Sequence, residues 1–100
     1  MAQKVIWSHE ALTDLELITD YIGKDSAYYA SAFVEEVLDL AYSLSRFARR
    51  GSTVPEINKK NIREVFVNRY RLIYLIESRR VVILALVHGS RDFKKLLKDE

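Results

Sequence analysis

The chain is 100 residues long, contains no cysteine and carries a formal net charge of +2. We expect one domain over residues 1–100, since this length can bury a real core but cannot accommodate a separate regulatory domain. The lack of cysteine excludes disulfides and thiolate metal sites. The N-terminal residues lack the apolar core of a signal peptide, and the longest apolar run, Val81–Val87, is too short to span a membrane. A cytoplasmic location is therefore expected.

Charge is distributed unevenly along the chain. Residues 1–40 hold two basic and eight acidic side chains, whereas residues 41–100 hold fourteen basic and six acidic side chains. A basic C-terminal half indicates contact with phosphates or with an acidic protein segment, and an acidic N-terminal half argues against nucleic acid wrapping the whole protein. The alternative is that both halves simply form solvated faces.

The first half of the chain predicts a strand followed by a helical hairpin. Residues 4–7 form the predicted strand, and Ser8 is a candidate N-cap for a helix that ends at Gly23. A second helix is predicted to begin near Asp25 or Ser26. The apolar residues follow helical spacing in both helices: Ala11, Leu15, Ile18 and Ile22 in the first, and Ala30, Phe33, Val37, Leu40 and Leu44 in the second.

The second half predicts a loop followed by three strands. Residues 49–60 combine glycine, proline and asparagine with charges, which is typical of a loop. Strands are predicted at 62–67, 70–77 and 81–87, joined by a short turn at 68–69 and a longer one from 77 to 80. Residues 91–97 are predicted to form either a short amphipathic helix or a frayed tail.

These elements predict an α+β fold in which the N-terminal strand and the helical hairpin pack on one face of a small antiparallel sheet, with a short C-terminal segment. Alternation along the strand at 70–77 puts Arg71 and Ile73 on one side, and Leu72 and Tyr74 on the other. Both sides are largely apolar. We therefore expect a partner segment to complete the face away from the helices.

Four polar side chains in the strand-rich stretch are candidate site residues: Arg63, Arg71, His88 and Arg91. Guanidinium groups on a rigid platform can bind anions. We expect Arg71 and Arg91 to be exposed and to contribute to contact with a target or partner more than to folding, since an exposed guanidinium tolerates truncation. Two structural alternatives remain open, because Arg71 can pair with Glu64 across the strands and His88 can be a hydrogen-bonded residue at the sheet edge.

The order of motifs resembles the RelE/ParE superfamily of bacterial toxins. A strand and a helical hairpin precede a basic loop containing VPE, then IRE, YRLIY and a strand ending in HGSRD. The resemblance covers almost the whole chain, and the HGSRD ending is closer to ParE-like members. It implies a type II toxin held inactive by a cognate antitoxin, whose extended or helical C-terminal segment wraps around it. Operator DNA would be contacted only through the antitoxin.

Two chemistries occur in this superfamily. RelE-like members cut messenger RNA in the ribosomal A site, and ParE-like members block DNA gyrase without a known hydrolytic site. RNA cleavage needs a base for the ribose 2′-hydroxyl, cations for the developing charge and an acid for the leaving oxygen. The resemblance places Glu56 as the base candidate, Arg63 and Arg71 as the cations, and His88 near the position of an acid.

The end of the chain departs from the nuclease pattern. Related nucleases end their last strand with a histidine–tyrosine pair or carry a tyrosine on the C-terminal helix, but no tyrosine follows Tyr74 here, and Gly89 rather than His88 aligns with the nuclease histidine. Gyrase inhibition without hydrolysis is therefore favoured over messenger RNA cleavage. A third possibility is a small, non-toxic protein- or RNA-binding module.

The basic side chains and His88 are the expected contacts to a target or to the antitoxin. They are Lys59, Lys60, Arg63, Arg71, His88 and Arg91. No metal, no cofactor and no membrane partner is expected, since two histidines far apart without cysteine do not form a metal site and no glycine-rich phosphate loop is present.

Overall fold

The computed structural model of the chain describes residues 2–93. Its elements, in chain order, are β1 (Lys4–Trp7), α1 (His9–Gly23), α2 (Ala27–Ser43), β2 (Ser52–Thr53), β3 (Ile62–Val67), β4 (Tyr70–Ile76) and β5 (Arg80–His88). Both predicted helices and all four predicted strands are present. The short strand β2 lies in the stretch at 49–60, which was predicted to be a loop. Of the C-terminal element predicted at 91–97, residues 94–97 lie outside the described part of the chain.

Serine side chains begin both helices. The Ser8 Oγ accepts a hydrogen bond from the Ala11 N–H at 3.0 Å, and the Ser26 Oγ accepts one from the Tyr29 N–H at 3.2 Å. Each hydroxyl satisfies a backbone donor that has no partner within its helix, which is why serine is preferred at this position. The prediction of Ser8 as an N-cap is confirmed. In the second helix, Ser26 rather than Asp25 is the cap.

The five strands form one mixed sheet in the order β1-β5-β4-β3-β2. The strands β2 to β5 pair antiparallel, as predicted for β3, β4 and β5, whereas β1 pairs parallel to β5 with Trp7 opposite Ile83. Parallel neighbours need a long connection, and α1, α2 and three strands separate β1 from β5 along the chain. The α+β prediction is confirmed, but β1 joins the sheet as a parallel edge strand instead of packing on one face with the helices.

Each face of the sheet buries its own apolar cluster. The helices cover the first, which includes Val37, Leu44, Leu72, Tyr74 and Ile83; the second, on the opposite face, consists of Val54, Ile73, Ala85, Val87 and Phe93. The predicted alternation along β4 is therefore confirmed. The face away from the helices is covered in part by the chain itself, because residues of the β2–β3 loop and Phe93 pack on it.

No helix among residues 2–93 is both long enough and apolar enough to cross a membrane.

Candidate functional site

Arg71 lies buried on the sheet face away from the helices. Its residue is only 4% exposed. The Nη1 atom donates to Glu64 Oε1 at 2.8 Å and to Glu56 Oε1 at 3.0 Å, and Nη2 donates to Glu56 Oε2 at 2.6 Å. The expectation of an exposed Arg71 is wrong, because the chain covers the face on which strand alternation places it. The alternative, in which Arg71 pairs with Glu64, is confirmed.

The same groups hold the backbone that follows β5. Arg71 Nη2 donates to the Arg91 carbonyl at 2.6 Å, and Glu56 Oε2 accepts from the Phe93 N–H at 2.9 Å. We call Glu56, Glu64 and Arg71 the clasp, because together they fix residues 91–93 over the second apolar cluster. Both contacts to the tail use backbone atoms. They therefore set where the segment lies without selecting its side chains.

The electrostatics of the clasp are dominated by its own ion pairs. The hydrogen bond from Arg71 lowers the pKa of Glu56 to about 2, against an opposing contribution from burial. The same bond raises the pKa of Arg71. A carboxylate with so low a proton affinity is a poor general base near neutral pH, since base catalysis is most effective when the pKa lies near the working pH.

Arg63 occupies the other side of the sheet. It lies in β3 at the same parity as Val65 and Val67, which pack in the helix-side core, so strand alternation puts it on the helix side. Its guanidinium donates to the Lys60 carbonyl at 3.0 Å and to the Gly51 carbonyl at 2.8 Å. The two arginines predicted to act together therefore project from opposite faces.

His88 lies exposed at the end of β5. Its Nδ1 accepts from the Ser90 N–H at 3.1 Å and lies 2.8 Å from the Ser90 Oγ, while its ring packs edge-on against Tyr70 with centroids 5.6 Å apart. The alternative of a hydrogen-bonded residue at the sheet edge is confirmed. Tyr70 packs on the helix-side core. His88 therefore belongs to that side, whereas Glu56 lies on the other.

The remaining predicted contacts are solvent-facing. Lys59 and Lys60 are exposed in the β2–β3 loop, and Arg91 is exposed although its carbonyl is bound by the clasp. Sequence reasoning missed Asp14, whose carboxylate bonds to the backbone of β5. Its spacing held a signal, because Asp14 is three residues after the buried Ala11 and therefore lies on the inward stripe of α1.

A family model described as the ParE toxin of the type II toxin–antitoxin system parDE matches residues 5–93. The chain belongs to this toxin family. The match includes the clasp, both apolar clusters and every strand of the sheet except the first residue of β1, so the membership predicted from the motif order is confirmed.

Individual relatives of this ParE-family toxin agree with that membership. Toxin RelE2 of Caulobacter vibrioides is 34% identical over 92 residues, which cover 91% of this chain and 99% of the relative. Two solved structures have a similar fold. The chromosomal ParDE toxin–antitoxin system from P. aeruginosa superposes with a TM-score of 0.71 at 18% identity, covering 87% of this chain and 96% of the other. A chain of the toxin–antitoxin complex RelBE2 from Mycobacterium tuberculosis superposes with a TM-score of 0.60 at 25% identity, covering 88% and 99%.

Proposed function

We propose that this ParE-family toxin arrests growth in the cytoplasm by poisoning DNA gyrase without hydrolysing nucleic acid, and that a cognate antitoxin neutralises it. The main support for the proposal is that the sheet separates the residues that a nuclease would need as base, cations and acid. Glu56 and Arg71 lie on the face away from the helices, and Arg63 and His88 lie on the helix side.

Cleavage of RNA requires its base, its cations and its acid to converge on one phosphate. In the described residues, the base candidate Glu56 is already bound by Arg71, and its pKa of about 2 weakens it as a base. The Arg71 guanidinium already donates hydrogen bonds to two carboxylates and a backbone carbonyl. A phosphate would have to displace those partners from a buried guanidinium. Blocking a target by binding alone does not require a phosphate to reach Arg71.

The exposed basic residues supply the contacts that the proposal needs. Lys59 and Lys60 in the β2–β3 loop, with His88 and Arg91 beyond β5, project into solvent and can meet an acidic surface. The antitoxin is supported by family membership and by the solved relatives, one a ParDE system and one a toxin–antitoxin complex. In this proposal the toxin contacts operator DNA only through that antitoxin.

The test is induction of the chain without its antitoxin. Growth should stop, purified protein should inhibit supercoiling by gyrase or stabilise cleaved DNA, and ribosome-bound messages should stay intact. Normal growth at confirmed soluble expression, with no binding to the product of the neighbouring gene, would instead indicate the non-toxic binding module.

Messenger RNA cleavage remains the second candidate, because the curated relative that covers 91% of this chain is named Toxin RelE2. The discriminating variant is His88→Ala, since loss of a general acid or base lowers a rate by roughly 10²–10⁴. A gyrase poison should lose far less activity with this change, because it loses one surface contact and no acid or base. Codon-phased cleavage by the wild type that collapses in His88→Ala would overturn the gyrase proposal.

A further inference from the structure

The connection between α2 and β2 is strongly basic. Arg46, Arg49 and Arg50 occupy three of five consecutive positions, and no acidic residue occurs from position 40 to position 55. All three arginines are exposed, and none forms an ion pair with another of residues 2–93. Phe47 lies between them in the sequence and is 63% exposed. We call residues 46–50 the arginine turn. Its positive charge is not neutralised within the described part of the chain.

The backbone of the arginine turn is held in place by buried groups. The Tyr74 hydroxyl donates to the Ala48 carbonyl at 2.7 Å and accepts from the Gly51 N–H at 3.0 Å. Within the turn, the Phe47 carbonyl accepts from the Arg50 N–H at 3.0 Å. A Cβ atom at Gly51 would lie 2.5 Å from a backbone carbonyl oxygen of β3, so a larger residue does not fit there. The arginines therefore project from a fixed backbone, which lowers the entropy cost of binding a ligand.

Arg63 adds a fourth cation beside the arginine turn. Its Nη1 atom donates to the Gly51 carbonyl at 2.8 Å. Burial raises the pKa of Tyr74, whereas the Gly51 N–H and the charges of Arg63 and Arg50 act to lower it. Both guanidinium groups therefore lie near the Tyr74 hydroxyl, and the positive surface extends from the turn onto the start of β3.

Acidic residues of α2 mark the border of this positive surface. Glu36 and Asp39 line a groove of about 400 Å³ together with Arg50, whose Nη1 donates to the Ser43 Oγ at 3.0 Å. Their carboxylates repel an anion. A polyanionic ligand would therefore lie across the arginine turn and not along α2.

The residue types of the turn fit the phosphate backbone of a nucleic acid. A guanidinium can bind a phosphate through two parallel N–H donors, and serine hydroxyls commonly add further phosphate contacts. Ser52, which follows the turn, is exposed and supplies such a hydroxyl. An exposed aromatic ring among cations, as at Phe47, can also stack on a base. DNA is the nucleic acid that gyrase would bring to the toxin.

We propose that the arginine turn, with Arg63, binds the phosphate backbone of the DNA segment that gyrase holds; this inference rests on the proposed function. Backbone contacts carry no sequence information, so the site would accept any DNA sequence and would not recognise an operator. A toxin bound both to the enzyme and to its DNA would oppose release of that DNA, as expected of a poison that stabilises cleaved DNA.

The experiment measures binding of a short DNA duplex of arbitrary sequence by fluorescence anisotropy over a range of salt concentrations. Arg46→Gln and Arg49→Gln each remove one exposed charge. Each should weaken binding roughly five- to tenfold near 0.1 M salt and reduce the slope of log K against log salt by about 0.9. Arg49→Lys should keep most of that slope, since lysine also neutralises a phosphate.

The matched control is Lys24→Gln, which removes one charge at an exposed residue before α2. The 17 residues of α2 separate Lys24 from the arginine turn by about 25 Å. This variant should bind the duplex like the wild type. With gyrase present, Arg46→Gln and Arg49→Gln should stabilise less cleaved DNA than Lys24→Gln at equal concentration. All of these variants should melt at the wild-type temperature, because the substituted side chains are exposed.

Failure of the DNA site and failure of gyrase poisoning give different results. A wild type that neither inhibits supercoiling nor stabilises cleaved DNA contradicts the proposed function itself. If the wild type poisons gyrase but Arg49→Gln matches Lys24→Gln in both assays, only the DNA site is overturned. Two other results would also overturn it, provided that duplex binding is unchanged in the arginine variants. Weaker binding to DNA-free gyrase would indicate an acidic protein surface as the partner, and weaker binding to ribosomes would indicate ribosomal RNA.

Discussion

Both carboxylate oxygens of Glu56 accept hydrogen bonds from the Arg71 guanidinium, at 3.0 and 2.6 Å. One of those oxygens also accepts a hydrogen bond from the Phe93 N–H at 2.9 Å. The pair thereby ties the β2–β3 loop, the central strand β4 and the end of the described chain to one another. Paired hydrogen bonds between a guanidinium and a carboxylate are strong and directional. This clasp is therefore expected to stabilise the fold, which several substitutions can test.

Arg71→Ala should lower the free energy of unfolding by about 3–5 kcal/mol, the range for removing one partner of a buried ion pair. Glu64, only 6% exposed, would lose its hydrogen bond to the guanidinium. Denaturant titration of the purified protein measures the change. The exposed Arg69→Ala is the control and should stay within about 0.5 kcal/mol of the wild type. Unchanged stability in Arg71→Ala, together with lost toxicity, would instead assign Arg71 to target contact.

Stability should fall between pH 4.5 and about 2, because the pKa of Glu56 is lowered from 4.5 to about 2 in the folded protein. A depressed folded pKa gives a contribution that is complete above the unfolded pKa and is lost as pH falls through the folded one. The loss attributable to Glu56 is roughly 2–3 kcal/mol. Unfolding measured from pH 7 to pH 2 should show a flatter profile in Glu56→Gln. Identical profiles for the two proteins would contradict this assignment.

Tyr74→Phe should destabilise the fold by about 1–3 kcal/mol, the cost of leaving buried polar groups without partners. The Tyr74 hydroxyl donates to the Ala48 carbonyl at 2.7 Å and accepts from the Gly51 N–H at 3.0 Å, so it anchors the segment before β2. Thermal melting reports the loss. Tyr42→Phe, at a tyrosine that is 73% exposed, should leave the melting temperature nearly unchanged. Equal effects of the two changes would argue against the anchoring role.

Arg91→Ala should weaken gyrase inhibition by roughly tenfold while leaving stability unchanged, because the clasp binds the backbone of residue 91 and its side chain is exposed. A supercoiling assay across protein concentrations gives the shift. Arg79→Ala, in the turn between β4 and β5, removes the same charge from an exposed site away from the clasp. If both variants inhibit gyrase equally, net charge rather than Arg91 controls the interaction.

The sequence by itself determined every described element of the fold except the two-residue strand β2. Helical spacing and the serine at position 8 located α1, and alternation along β4 correctly separated Leu72 from Ile73, because periodicity and capping are local properties of the chain. Motif order determined the family. Arg63 and Arg71 were correctly placed in strands, and His88 at the end of one. Glu56 was correctly placed in the loop before β3. Local patterns do not predict how these side chains are arranged relative to one another.

The tertiary structure decided which of those side chains meet. Arg71 is buried because Glu56, fifteen residues earlier, and Phe93, twenty-two residues later, fold over the same face. Periodicity assigns a side chain to one side of a strand, but it does not show which distant segment covers that side. The same limit hid the parallel pairing of β1 and the hydrogen bond between Asp14 and β5, since both join segments more than seventy residues apart. Such contacts depend on the closure of long loops, which the packing of the whole chain determines.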